Sequence, residues 1–386
     1  MKSNYNQLGQ YIEMVSRTNS DLKYGIEDVR GCSNTKQMMQ TRANLIGRTY
    51  EKFIVLRPQE FVFNRRTTRN GEKIGMAYNN TDREYIFTND YVAFRVKQEY
   101  LDKLLPDYLY LFFCRDEFDR YARYKSTGSA TEFFNWEDMC AVPFEIPPMD
   151  FQQLVVNAYK VLNKRIETKQ KINDNLATQA LTLFSDFVSH LSKKLEQRKL
   201  GDVIASANTG GDAIQKVPIV DYDTGIKCAR VGDITNAREY ASWAFCNASK
   251  SVYDNYKLQA GDILVTRTAT LGITQYIAKD ISAVYNNGLI RLKVNDTNAL
   301  PLYIYWAMKT SDFFNYINQM NSATSVRPNM KIDYLLNYQL SIPSIEEQTQ
   351  FTNTVEPLMN AISLNNDEIL KLSEFQAIIL TTLSSR

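Results

Sequence analysis

The sequence predicts an α+β chain: two similar globular α/β domains separated by two long antiparallel coiled-coil helices, with pseudo-two-fold symmetry. Three observations predict it. The chain has 386 residues, more than one ordinary core holds and comfortable for two domains. Its halves repeat one another in order, with a period of about 195 residues. Each half ends in a proline phrase, "IPPMDFQQ" from Ile146 and "IPSIEEQ" from Ile342, and each phrase opens a long run with heptad spacing.

The bulk composition is that of folded material, with 44% apolar and 12% aromatic residues. No apolar run approaches a membrane span, and "MKSNYNQLGQ" lacks a signal core, so a cytoplasmic protein without a membrane partner is expected. The five cysteines are odd in number and form no C-x-x-C, which suggests neither a disulfide framework nor zinc. A single histidine, His190, argues against His-based catalysis or a His metal site. Net charge is only +2, but it is unevenly spread. Residues 151–199 carry 9 basic and 4 acidic groups, whereas residues 346–386 carry 2 and 6. The two runs that follow the proline phrases therefore have opposite charge.

The repeat is visible in five pairs of segments in the same order. "LGQYIEMVS" from Leu8 matches "LGDVIASAN" from Leu200, and "PQEFVFNRR" from Pro58 matches "AGDILVTRT" from Ala260. "PDYLYLFFCRDEFDRY" from Pro106 matches "PLYIYWAMKTSDFFNY" from Pro301, and "GSATEFFNW" from Gly128 matches "NSATSVRPNM" from Asn321. The two proline phrases complete the series. Short alternating stretches such as "EFVFN" and "DILVT" predict strands. "DYLYLFFCRDEFDRYARY" and "LYIYWAMKTSDFFNYI" each predict one amphipathic helix. The expected organisation is a first domain over 1–147, a first long helix over 148–195, a second domain over 196–343 and a second long helix over 344–386.

The long helices carry an a/d seam. In the first, Val155, Leu162, Lys169, Leu176 and Leu183 lie seven apart, as do Tyr159, Ile166, Asn173, Ala180 and Phe187. In the second, the rows are Phe351, Leu358, Asn365, Leu372 and Ile379, and Val355, Ile362, Ile369, Gln376 and Leu383. The other seam is the natural partner for each, and the opposite charges favour that pairing. An antiparallel arrangement puts Lys169 beside Asn365. The alternative is that each helix merely caps its own domain. Ser344 and Glu347 form a capping box at the second helix, while the first has Pro148, with Asp150 near its positive end.

No catalytic motif is present: no phosphate loop, no nucleophile elbow, no H-E-x-x-H, no kinase set and no methyl-donor loop. Acid pairs such as Glu346 with Glu347, or Asp116 with Glu117, fall on predicted helices and read as solvated faces. Trp136 and Trp306 read as core. Polar loops remain as candidate sites. "NRRTTRNGEK", residues 64–73, carries Arg65, Arg66, Thr67, Arg69, Asn70 and Lys73. Arg reads guanine bidentately, Asn reads adenine, and all can take phosphate. A solvated hairpin tip is the alternative, since Asn-Gly is also a plain turn signal. The matching loop in the second half is "TRTATLG", with Arg267, Thr268 and Thr270. A second pair of loops is "KSTGSAT", with Lys125, Ser126, Ser129 and Thr131, and "NSATSVRPNMK", with Ser322, Thr324, Ser325, Arg327, Asn329 and Lys331. Their hydroxyls serve equally well as turn and cap residues.

Taken together, the doubled unit, the "I-P-x-x-x-x-Q" phrases, "GDILVTRT" and "SATSVRPNMKIDYLLNYQLSIPSIEEQ" resemble the specificity subunit of type I restriction-modification systems. "IEDVRGCSNTK", "TTRNGEKIGMA" and "RDEFDRYARYKSTGSATEFFNWEDMC" are similar to one subclass of its target recognition domains. The resemblance covers essentially the whole chain. It implies that each globular unit is a target recognition domain reading one half of a split double-stranded DNA sequence, and that the helices form an antiparallel coiled coil setting the gap. It also implies two methyltransferase subunits acting on adenine, and optionally two motor-nuclease subunits. No cofactor is then expected on this chain; S-adenosylmethionine, ATP and Mg are expected on those partners. Carried over by position, the four loops above face DNA. The second tip lacks the "TTRNG" cations, so the resemblance implies that it contacts DNA less or reads a different base pattern. Two other readings stand beside this one: a DNA methyltransferase or nuclease with fused recognition domains, and a coiled-coil scaffold without DNA readout.

Overall fold

The computed structural model describes residues 6–41, 45, 47–66, 73–127, 132–191, 197–210, 218–323 and 329–383, with backbone alone at 320–323. The chain divides into two compact units, residues 1–165 with 372–386, and residues 166–371. Each unit thus contains a stretch of both long helices.

The described residues of the first unit form the short strands β1 (Ile12–Val15), β2 (Arg30–Cys32), β3 (Met38–Gln40), β4 (Ile54–Leu56), β5 (Phe61–Asn64), β6 (Met76–Tyr78), β7 (Tyr85–Phe87) and β8 (Tyr91–Val96). Four of them form an antiparallel sheet in the order β1-β8-β5-β6. The "EFVFN" stretch is its centre, with Phe61 opposite Phe94 on one side and Tyr78 on the other. Phe61, Val62 and Phe63 are all fully buried, because both sheet faces are covered. Phe61 and Phe63 face the main core, and Val62 faces a smaller cluster with Leu56 and Phe87.

The main core is completed by α1 (Pro106–Phe113), α2 (Asp116–Lys125) and α3 (Trp136–Cys140). The single helix predicted over "DYLYLFFCRDEFDRYARY" is two helices, because Arg115 is extended, with ψ 145, and serves as N-cap of α2. The break turns α2 so that Phe118 and Ala122 join the same core. The first long helix is α4 (Met149–His190), 42 residues.

The second unit repeats this plan. Its strands are β9 (Gln197–Lys199), β10 (Ile204–Thr209), β11 (Ile219–Val220), β12 (Lys227–Ala229), β13 (Phe245–Cys246), β14 (Ile263–Thr266), β15 (Thr274–Tyr276), β16 (Ala283–Tyr285), β17 (Leu289–Val294) and β18 (Gln339–Ser341). Its helices are α5 (Val231–Thr235), α6 (Lys250–Tyr256), α7 (Pro301–Ala307), α8 (Ser311–Ala323), α9 (Ile332–Leu336) and the second long helix α10 (Ile345–Thr382). The order β10-β17-β14-β15 reproduces that of the first sheet strand for strand. "LYIYWAMKTSDFFNYI" is again two helices, α7 and α8, separated around Thr310, whose hydroxyl accepts from the Phe313 amide at 3.4 Å. Trp306 is buried, as a core residue should be, while Trp136 is half-buried beside Phe94.

The repeated proline phrase has one structural meaning. Gln152 and Gln348 are both fully buried. Gln152 accepts from the Leu105 amide at 2.9 Å and donates to the carbonyls of Lys103 and Pro147 at 2.7 and 2.8 Å. Gln348 accepts from the Leu300 amide at 2.7 Å and donates to the Pro343 carbonyl at 2.9 Å. Leu105 and Leu300 are the N-caps of α1 and α7. Neither is a polar capping residue, so the glutamine satisfies a donor that the helix start leaves open. Each long helix is thereby fastened to its own domain.

The predicted seam is present. In the second unit, the Phe184 ring packs 5.2 Å from Phe351, and the Lys169 ammonium lies 2.8 Å from Asn365 and 2.7 Å from Glu368, so α4 and α10 run antiparallel there. Asn173 bonds to Asn366 at 2.7 Å and to Asn365 at 2.8 Å, completing a polar layer in the stripe. Ile166, Phe351, Val355 and Leu372 are buried, with Leu162, Leu176, Leu358, Ile362 and Ile369 half-buried. Leu183 departs from its predicted row. It is 37% exposed, and Phe184 takes its place at 3%. A straight helix drifts about 20° per heptad against a strict seven-residue repeat, which over four heptads brings the next residue into the stripe. The Ser344–Glu347 capping box forms as expected, with carboxylate contacts of 2.9 and 2.8 Å.

Replacing Gln152 or Gln348 by Leu leaves a buried amide and carbonyls without partners. Each variant is expected to lose about 1–3 kcal/mol, read as a lower denaturant midpoint.

Candidate nucleic-acid interface

In the first unit the chain leaves β5 at Asn64, whose side-chain oxygen accepts from the Arg66 amide at 3.0 Å and turns the backbone. Arg66 then forms an antiparallel bridge with Phe133, and the Arg65 carbonyl accepts from the Phe134 amide at 2.9 Å. Thr127, two residues beyond α2, bridges Phe133 from its other side. Phe134 is fully buried and packs 5.9 Å from Phe63 and 6.2 Å from Phe118. The described ends of the tip after β5 and of the loop after α2, separate in sequence, are therefore stitched together over a buried aromatic anchor.

Arg65, Arg66 and Lys73 are exposed. Arg66 lies 3.9 Å from Asp90, and Lys73 lies 3.4 Å from Asp116, all four groups being open to water. Exposed pairs of this kind contribute about 0–1 kcal/mol, so these cations exchange readily onto a phosphate. Lys125 is the last residue of α2, its ammonium 5.8 Å from the Tyr121 and Tyr124 rings. Ser126 donates to the Ala122 carbonyl at 2.7 Å and so acts as a helix-end residue. Thr67, Arg69, Asn70, Ser129 and Thr131 lie outside the described residues.

The second unit repeats the stitch. Thr268 bridges Asn329, and the Arg267 carbonyl accepts from the Met330 amide at 2.8 Å, with Met330 fully buried in the place of Phe134. Arg267 itself is used differently from Arg65. Its guanidinium donates to the Met330 carbonyl at 3.1 Å and to the Asn287 carbonyl and side-chain oxygen at 3.2 and 3.3 Å. It braces two loops while remaining half-exposed. Thr270 is exposed on the turn that closes at Gly272, where φ is +78 and an added Cβ would come within 3.0 Å of Ile317. Asn329 and Lys331 are exposed. Ser322 lies in α8, its side chain not described, and Thr324, Ser325 and Arg327 lie outside the described residues.

The sequence reading missed a third element in the first unit. The β2–β3 hairpin docks on the same end of the sheet, with Ser33 bridging Met76 at the start of β6. From its tip the Lys36 ammonium reaches inward to Asp119 of α2 and to the Ile74 carbonyl at 2.9 Å. Burial pushes this ammonium below the ordinary lysine range, against the pull of Asp119. A lysine in a polar "SNTKQ" turn gives no sign in sequence of pointing inward. The turn at 286–288, held by Arg267, was missed for the same reason.

Two copies of one α+β domain, each presenting a stitched pair of polar loops and each fastened to a long paired helix, define a two-domain specificity scaffold. The model of the type I restriction modification DNA specificity domain matches residues 33–178 and again 192–374, and the chain belongs to that family. It is a specificity subunit of the type I restriction-modification class, and is non-catalytic. Among solved structures, the S subunit of a type I restriction-modification system from M. genitalium is similar at 14% identity, with a TM-score of 0.51, over 98% of this chain and 96% of that one. At this identity the likeness speaks for the fold alone. The HsdS subunit from Thermoanaerobacter tengcongensis matches at 15% identity with a TM-score of 0.34, over 98% and 95% of the two chains. A chain from a study of type I complex assembly and conformational transition matches at 13% with 0.41, over 98% and 96%. The two lower scores carry no argument. No curated protein sequence matches. Among the described residues, no helix is long and apolar enough to cross a membrane, and no group of three or more His, Cys, Asp and Glu side chains forms a metal site.

Arg267→Ala should cost about 1–3 kcal/mol in unfolding, because two carbonyls are left without a charged donor. Thr270→Ala, three residues away on the exposed turn, should stay within about 0.5 kcal/mol in the same titration.

Proposed function

We propose that this chain reads a split double-stranded DNA target in the cytoplasm, one half per domain, and directs adenine methylation and restriction by partner subunits. The observation that supports this most strongly is the doubled stitch, Arg65–Phe134 and Arg267–Met330, which presents the same pair of loops twice on one polypeptide. In this reading Arg65, Arg66, Thr67, Arg69, Asn70 and Lys73 form one half of the reading surface with Lys125 to Thr131. Thr268, Thr270 and the 322–331 loop form the other, with Arg267 as its brace. Sequence is read through base edges, and most of the affinity comes from phosphate contacts, part of them made by partners. A net charge of only +2 is consistent with a subunit that binds DNA within a complex.

The long helices supply the rest of the proposal. Helices of 42 and 38 residues are about 57–63 Å long at 1.5 Å per residue, and half-sites for two-domain readers lie about one 34 Å turn apart. Leu154, Val161, Leu364, Phe375 and Ile378 remain exposed on them, apolar surface suited to two methyltransferase subunits. Those subunits would carry S-adenosylmethionine, and two motor-nuclease subunits would carry ATP and Mg.

The test is methylome sequencing of a methylation-free host expressing this chain with its neighbouring methyltransferase, against the methyltransferase alone. A two-part adenine-methylated motif that requires this chain is the expected result. The same pattern without it, or no methylation from a stable complex, would overturn the proposal in favour of a scaffold. Binding of methyl donor by this chain alone would instead favour a fused enzyme.

Charge reversal of Arg66 and Lys73 to Glu should weaken DNA binding by the complex on all sequences alike. It should also flatten the salt dependence by about one unit for each phosphate that is no longer neutralised.

A further inference from the structure

We infer that the tip of the β2–β3 hairpin, residues 33–37, is a third base-reading element of the first domain, set in place by the buried Lys36–Asp119 ion pair. This rests on the DNA-reading role proposed above and extends it to residues that no loop motif marked.

The hairpin pairs Arg30 with Gln40, Gly31 with Met39 and Cys32 with Met38. Ser33 closes the tip. Its amide donates to the Gln37 carbonyl at 2.9 Å, and its hydroxyl accepts from the Gln37 amide at 3.1 Å. Lys36 adopts a left-handed φ of 62, which is unfavourable for a residue with a side chain. A lysine in a surface turn ordinarily keeps its ammonium in water. This one is 4% exposed and its partner Asp119 is 5%. Burying two charges costs several kcal/mol per ion before their attraction offsets it, so such a pair is a poor source of stability and a good source of register.

What the pair registers is specific. Asp119 accepts from Lys36 and from the Ile74 amide at 3.0 Å, while Lys36 donates to the Ile74 carbonyl. Ile74 follows Lys73, the end of the first candidate loop. Asp119 sits on α2, whose C-terminal end starts the second candidate loop. One ion pair thus ties the hairpin to both segments that are proposed to meet DNA. With Lys36 turned inward, Asn34, Thr35 and Gln37 are left exposed. Asn and Gln carry the paired donor and acceptor that match the major-groove edge of adenine. The lysine–carboxylate pairs described in the second unit, Lys169–Glu368 and Lys279–Asp367, are both more exposed than this one.

Lys36 and Asp119 are positioning residues, and Asn34 and Gln37 the reading ones. The test uses the complex of this chain with its methyltransferase. Asn34→Ala and Gln37→Ala are expected to lower methylation of the parent motif about 5- to 100-fold. They should also relax base preference within one half of it, the other half discriminating as before. The paired variant Lys36→Met with Asp119→Leu removes both charges without stranding either. It is expected to relax the same half while the protein still unfolds cooperatively. Unchanged rate and preference in Asn34→Ala and Gln37→Ala would overturn the inference while leaving bipartite reading intact. A parent complex that methylates no two-part motif would remove the reading beneath it, and the inference with it.

Discussion

A helix of 42 or 38 residues with one apolar stripe cannot be left alone in water, and the rest of this structure depends on how that stripe is covered. The solution is the other long helix of the same chain. In the second unit the stripes meet antiparallel, and their middle is a layer of Lys169, Asn173, Asn365, Asn366 and Glu368. A polar layer in an apolar stripe contributes less stability than leucines would. It penalises every register that leaves one of its members facing hydrocarbon. The opposite net charges of the two runs act in the same sense. α10 carries Pro357 inside it without ending there.

The second constraint is the joint between helix and domain. An apolar N-cap leaves α1 and α7 with an amide that nothing local can satisfy, and a buried glutamine from the first turn of each long helix supplies the acceptor. The same side chain returns its own donor to the proline phrase. The joint is therefore a set of mutual hydrogen bonds that holds each long helix against its domain. Its recurrence in both halves answers why the chain writes the phrase twice. The duplication preserved the joint, the strand order of the sheet and the loop stitch together.

The two candidate loop surfaces are alike in backbone and unlike in chemistry. In the first unit the arginines beyond β5 are exposed and only loosely paired, and rigidity comes from beneath, through Phe134 and the Lys36–Asp119 pair. In the second unit rigidity comes from the arginine itself, with Arg267 gripping Met330 and Asn287. A common frame with different loop chemistry suits the proposed reading of two half-sites, since positioning and base discrimination are separate tasks.

The sequence by itself determined the repeat, the heptad stripes, the antiparallel match of Lys169 with Asn365, the central strands and the Ser344 cap. Each of these is a local pattern or a periodicity, and periodicity survives in one dimension. It also marked the polar loops as candidates, because Arg, Asn and Thr in a short polar run can meet phosphate and base edges, though the same residues also make plain turns. Only the tertiary structure decided that those loops meet in pairs, that Arg267 braces where Arg65 stays exposed, and that Phe184 rather than Leu183 enters the stripe. It alone turned Lys36 inward to Asp119, 83 residues away. The reason is physical. Whether a cation faces water or a buried carboxylate depends on which distant segment folds over it, and no spacing along the chain records that.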